Sequence, residues 1–159
     1  MDHLDFQALQ LMVRQGRITW AELAPQLGLS PPAAAERVRR LEEKGMIKGY
    51  GAVLDREALG YDLTAFVGAD LSHQRHRAEF LALVGSRPEI LECHHVAGDH
   101  DYILKICCRN ARALDRFIND VLKQGEAVAR TRSIIVLSTV KEEMFVPTET
   151  GSDPGTAGG

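Results

Sequence analysis

The spacing of apolar residues is helical up to Gly45 and mixed after it, so two kinds of structure must follow one another. Before Gly45 apolar residues recur three and four apart, as on one side of a helix; after it runs that alternate or form short blocks, as in strands, are interspersed with helical ones. A first helix is expected over residues 5 to 15, where Ala8, Leu9, Met12 and Val13 share a face, with Asp5 as N-cap and Gly16 as terminator. "TWAE" at 19 to 22 reads as a capping box in which Thr19 and Glu22 satisfy each other's amides. That second helix runs to about Leu27, and Pro25 makes it short or bent, because an interior proline costs about 3 kcal/mol. In "GLSPP", Ser30 caps a third helix whose first turn holds Pro31 and Pro32, where missing amides have no helical partner anyway. This helix reaches Lys44, with Gly45 past its end. Three short helices joined by tight turns make a helix-turn-helix layout.

After Gly45, "MIKGYGAVLD" and "LTAFVGADL" are strand-like. "AEFLALVGS" is helical, "EILECHHVA" and "YILKICC" are strands parted by "GDHD", "ARALDRFINDVLKQG" is an amphipathic helix, and "ARTRSIIVLSTVK" is a long strand. From Leu63 the order is βαββαβ, which suits a ferredoxin-like antiparallel sheet covered by two helices on one face. The fold class is therefore α+β. The tail "TETGSDPGTAGG" is rich in Gly, Thr and Ser and is expected to be disordered.

A chain of 159 residues with 45% hydrophobic and 26% charged residues belongs with globular proteins. No apolar run approaches the roughly 20 residues of a spanning helix, and "MDHLDFQ" lacks the regions of a signal peptide, so no membrane partner and a cytoplasmic location are expected. Cys93, Cys107 and Cys108 show no C-x-x-C spacing, which leaves them as thiols packed like small hydrophobes. The net charge of -3 hides an asymmetry: residues 1 to 50 carry seven basic against six acidic side chains, and 30 to 48 carry five against three.

That basic excess is ordered. On the third helix Ala34, Val38 and Leu41 make an inward stripe, whereas Ala33, Arg37, Arg40 and Lys44 make an outward one; Arg39 lies on the flank, within reach of Glu43. A small residue followed by guanidinium groups is what a helix needs to enter a groove about 12 Å wide and reach guanine edges or phosphates. The same stripe would also serve as a solvated face, and the capped helix and turn before it favour the DNA reading.

"GRITWAELAPQLGLSPPAAAERVRRLEEKGMIKGYGAVLD" resembles the winged helix-turn-helix of the Lrp/AsnC family, the leucine-responsive and asparagine regulators, through GRI, ELA, GLS, RVRRLE and G-x-I-x-G-Y. The resemblance implies a winged helix-turn-helix over 1 to 52, a linker over 53 to 61 and a βαββαβ module of the RAM type over 62 to 146, with the tail from 147 to 159. It also implies a transcriptional regulator that binds double-stranded DNA, assembles with itself into dimers or larger oligomers such as octamers, and answers to a small amino acid; Ser30, Ala33, Arg37, Arg39, Arg40 and Lys44, read from the third helix, are the expected DNA-binding residues. Pro25 and the run Pro32, Ala33, Ala34 and Ala35 depart from the family's bulkier or more polar residues, so its operator preferences do not transfer.

"ECHHVAGDHDY", Glu92 to Tyr102, is dense in ligand-type side chains and admits four readings. A zinc site is opposed by strand alternation, which sends Cys93 and His95 one way and His94 the other. An enzyme is suggested by relatives of the family, the siroheme decarboxylases, that process a tetrapyrrole on the same two-domain plan; here the stretch keeps a regulator-like G-D-x-D-Y, and the chain has no P-loop, nucleophile elbow or G-x-G-x-x-G. A tight turn serving backbone geometry is the third. The resemblance implies the fourth, an effector-binding turn where dimers meet, in which Val96, Gly98, Asp99, Asp101 and Tyr102 match the family's V-x-G-D-x-D-Y; His100 within the turn is a further candidate, and Ile134 and Val136 on a neighbouring strand are expected as an apolar wall. There Gly98 lets amides approach a carboxylate, and Asp99 or Asp101 pairs with an ammonium group. No cofactor and no catalytic residue are expected. His95 and His100 stand where the family often has apolar residues.

Overall fold

The computed structural model describes residues 1 to 142, which divide into two compact units, Met1–Val53 and Leu54–Lys141.

The first unit contains three helices: α1 (His3–Arg14), α2 (Trp20–Gln26) and α3 (Pro31–Glu43). The first helix begins earlier than its apolar spacing suggests. Asp2 is the N-cap, and Asp5 is the third residue of a capping box with it, each carboxylate accepting the other's backbone N–H at 2.9 Å. The expected capping box of α2 forms, with the Thr19 N–H donating to Glu22 at 2.8 Å, and the helix holds Pro25 within its seven residues. Ser30 caps α3 through the Ala33 N–H at 3.4 Å. Gly28 and Gly45 close α2 and α3 with φ of 65° and 69°, a region that costs a side chain strain. Ala8, Leu23, Ala24, Leu27, Ala34 and Val38 form the core, with Leu11, Met12, Ile18, Leu29 and Ile47 packed around it. The strand expected over 46 to 55 does not form. A lone strand has no ladder partner among the three helices, and Gly49 and Gly51 weaken its propensity.

The second unit opens with residues expected to be linker. Instead, 56 to 61 fold into a turn closed by the Tyr61 N–H donating to the Arg56 carbonyl at 2.9 Å, and the Arg109 guanidinium lies 5.5 Å from the Tyr61 ring centre. Then come β1 (Leu63–Leu71), a 3₁₀ turn (Gln74–His76), α4 (Arg77–Ser86), β2 (Ile90–His95), β3 (Tyr102–Cys108), α5 (Ala111–Phe117) ending in a π-helical turn (Ile118–Leu122), and β4 (Val128–Ile135). The sheet is antiparallel in the order β2-β3-β1-β4, the ferredoxin-like arrangement anticipated from the element order. The last strand is shorter than its apolar run. Ala65, Val67 and Ala69 of β1 and Leu104, Ile106 and Cys108 of β3 bury one sheet face against Phe80, Leu114, Phe117 and Leu122. The alternate residues, among them Phe66, Gly68, Ile103, Lys105, Arg132 and Ile134, share the other face. No helix among the described residues is long and apolar enough to cross a membrane.

Candidate functional site

On α3 the expected outward stripe separates into two parts. Ala33 and Lys44 are exposed, and Arg40 has a side chain 66% accessible, touching Glu36 through Nε at 3.1 Å. Arg37, expected to face outward with them, instead turns toward the start of α1. Its Nη1 lies 2.7 Å from Asp2 Oδ1, 2.8 Å from Asp2 Oδ2 and 2.5 Å from Asp5 Oδ1, and only 24% of its side chain remains accessible. The cause is the early N-terminus of α1, which sets two carboxylates one turn apart opposite Arg37. Asp2 is held below the usual carboxylate range chiefly by this guanidinium; at Asp5 burial pushes the carboxyl up, and the Asp2 N–H with Arg37 outweighs it. Arg39 is tied to Glu36 at 2.7 Å and, as its spacing suggested, to Glu43. Glu36, shared by Arg39 and Arg40, is lowered to about 2, the Arg39 hydrogen bond being the main cause. Ser30, Ala33, Arg40 and Lys44 thus present small polar, methyl and cationic groups along one helix, and Ala33, Arg37, Arg40 and Lys44 line a groove of about 490 Å³ with Asp2, Asp5 and Glu36.

The turn after β2 does not gather its residues on one side. Gly98 and Asp99 are exposed at its tip. His100 folds onto the sheet face away from the helices, where a Cβ on Gly68 would overlap its ring, and its Nδ1 donates to Asp70 Oδ1 at 3.1 Å. Asp101 accepts the Leu71 N–H at 2.8 Å. Tyr102, expected beside them, points the opposite way: it is 3% exposed, its ring centre lies 4.7 Å from Phe80 and 5.0 Å from His95, and its hydroxyl accepts from Arg77 Nε at 3.0 Å. Strand alternation places it there, one residue after the turn ends. Ile134 is 61% exposed on the same face as His100, and Val136 follows the strand, its N–H donating to Thr64 O at 2.9 Å. Cys93 and His95 face the helices and His94 faces away, where it meets Glu92 at 3.1 Å. Among the described residues no three His, Cys, Asp or Glu side chains come together as metal ligands.

Two residues that sequence reasoning passed over complete this site. Asp70, near the end of β1, accepts from His100, from the Asp101 N–H at 3.3 Å and from Arg130 Nε at 2.7 Å. Burial pushes its carboxyl up, and Arg130 and His100 overcome that and hold it below the usual range. Gly68 provides the room. A glycine and a carboxylate inside an apolar strand were the available signals, since interior glycine marks a close approach.

Residues 1–48 match the family model described as winged helix-turn-helix DNA-binding, and 64–146 match the model described as the Lrp/AsnC ligand binding domain. The chain is 37% identical over 144 residues to the leucine-responsive regulatory protein of Rhizobium meliloti, covering 89% of this chain and 92% of that one. It is 35% identical over 125 residues to the HTH-type transcriptional regulator LrpB of Bacillus subtilis, covering 79% and 83%. Among solved structures, a transcriptional regulator of Neisseria meningitidis in complex with L-methionine superposes with a TM-score of 0.88 at 30% identity, covering 92% of this chain and 96% of that one. AsnC of E. coli superposes with a TM-score of 0.85 at 28% identity, covering 92% and 99%.

Proposed function

This chain belongs to the Lrp/AsnC family of DNA-binding transcriptional regulators, and from that premise we propose that residues 1 to 52 read double-stranded DNA through α3 while residues 62 to 146 assemble the protein and sense a small amino acid. The protein is a regulator and not an enzyme. The observation that carries the DNA reading is α3 itself. It is capped at Ser30, slim at Ala33, and exposes Arg40 and Lys44 beside a packed α2. Ser30 and Ala33 suit the close approach at the helix start, and Arg40 and Lys44 suit bases or phosphates; Arg39 can join them only by leaving Glu36 and Glu43. Arg37 contributes by fixing the helix on α1.

The effector reading is supported by the relative from Neisseria meningitidis, which holds L-methionine, and by the exposed Gly98 and Asp99, which suit a carboxylate and an ammonium group. His100, Asp101 and Ile134 border that place; Tyr102 would act from beneath, and Val136 from the strand's end. The open sheet face, with Phe66 37% and Ile134 61% exposed, offers apolar surface for a second copy of the chain. Cytoplasmic location and assembly beyond a dimer follow the same proposal. An effector that binds one assembly more tightly than another shifts the balance between them, and with it the spacing of paired α3 helices.

A thermal-shift screen with the twenty amino acids tests the sensing. A ligand at 100 times its dissociation constant adds about 2.7 kcal/mol of stability. A shift with one or a few amino acids supports the reading, and no shift with any overturns the sensing while leaving the DNA reading to its own test, binding to the chain's promoter region.

A further inference from the structure

The turn that follows β2 is held down by β1. Gly68 is paired across the sheet with Ile103 and Arg132, and its missing side chain leaves the floor on which the His100 ring rests. Two residues on, Asp70 takes three donors from two directions: His100 Nδ1 at 3.1 Å and the Asp101 N–H at 3.3 Å from the turn, and Arg130 Nε at 2.7 Å from β4. The clasp is reciprocal, because the Asp101 carboxylate accepts the Leu71 N–H at 2.8 Å. His100 and Asp70 side chains are only 16% and 18% accessible, so water competes weakly for these bonds. Gly98 and Asp99, by contrast, are exposed between Val96 and Asp101, where the Val96 N–H donates to the Asp101 carbonyl at 3.1 Å.

We propose that Asp70 is the positioning residue of the effector turn: with the seat left by Gly68 it draws His100 onto the sheet, fixes the neutral imidazole as the Nδ1–H tautomer, and so sets where Gly98 and Asp99 meet a ligand. The inference rests on the reading of this turn as the effector site. A carboxylate has no hydrogen to give, so the ring must donate from Nδ1. Arg130 offsets the charge of Asp70 from 2.7 Å away. Each of these groups lies on a strand of the sheet or on the turn itself, so the turn's posture is tied to β1 and β4 through its own His100 and Asp101.

The test uses the full chain and three versions of it: wild type, Asp70→Asn and Asp70→Glu. Nitrogen NMR of the His100 ring above its titration range reads the tautomer, and amide exchange reads Leu71 and Asp101. The expected result is an Nδ1–H ring in the wild type, a swing toward Nε2–H in Asp70→Asn with exchange at Leu71 and Asp101 faster by about tenfold, unchanged exchange in α4 and α5, and partial recovery in Asp70→Glu. An Nε2–H ring in the wild type, an unaltered tautomer in Asp70→Asn, or equal loss of protection throughout the sheet overturns the proposal, the last by making Asp70 merely structural. The amino-acid thermal-shift screen is run on the same proteins. A wild-type shift that Asp70→Asn keeps at the same half-saturating concentration also overturns it, and absence of any wild-type shift removes the effector reading while the tautomer and exchange still decide whether Asp70 positions the turn.

Discussion

Arg37 of α3 and Asp5 of α1, thirty-two residues apart in the chain, meet at 2.5 Å, and this contact joins the helix expected to read DNA to the helix that opens the chain. Asp2 joins the same guanidinium at 2.7 Å. The Arg37 guanidinium is therefore engaged by two carboxylates of the unit that presents α3.

Replacing Arg37 with Ala is expected to lower stability by about 1–3 kcal/mol, since it leaves the largely covered Asp5 carboxylate without its charged donor. Chemical denaturation reads the loss. The salt dependence of DNA binding by the folded variant should match the wild type; a slope smaller by a full unit would put Arg37 on a phosphate instead.

Arg40→Ala and Lys44→Ala should behave in the opposite way. Both side chains are exposed at the C-terminal half of α3, so stability changes little, while each substitution that removes a phosphate contact lowers the salt slope by about 0.9. Titration of a promoter fragment at several salt concentrations gives the slopes, and unchanged slopes in both variants would move the interface off this helix.

Acid should loosen the helical unit through the same contacts. Asp2 and Asp5, the two carboxylates that Arg37 touches, are both held below the usual carboxylate range. A carboxyl depressed in the folded state contributes stability that is complete above its unfolded value and is lost as pH falls through the folded one. The difference in melting temperature between wild type and Arg37→Ala should thus be complete above the usual carboxylate range and shrink as acid carries Asp2 and Asp5 through and below it. A difference that grows on acidification would reverse the assignment.

Gly68→Ala tests the seat of His100. A Cβ there overlaps the ring, so the ring must leave Asp70, and a cost of about 1–3 kcal/mol is expected from the crowding. Most of it should vanish when His100 is also changed to Ala, because the double variant has nothing left to displace. Additive losses, measured in a double-mutant cycle, would show that Gly68 matters for some reason other than His100.

Much of this was legible beforehand. The capping box at Thr19, the prolines behind Ser30 and the glycines that end α2 and α3 are local signals, and local geometry satisfies them. The alternation in β1, β2 and β3 gave the two sheet faces, and it correctly dispersed Cys93, His94 and His95. Position in the sequence was a poor guide wherever a partner came from far away. Arg37 looked outward by spacing until α1 began three residues early; Tyr102, the first residue of the expected strand, was grouped with the turn although its side chain faces Phe80.

The sequence by itself determined the two-part plan, the capped helices, the order of strands and the family, because all of these depend on side-chain periodicity and on residues a few positions apart. The tertiary structure decided which charges are spent on holding the protein together. Arg37 is bound to Asp2 and Asp5, and His100 to Asp70 over Gly68, through pairs separated by about thirty residues. Such pairs are fixed by how helices pack and strands register, and no spacing along the chain encodes that directly.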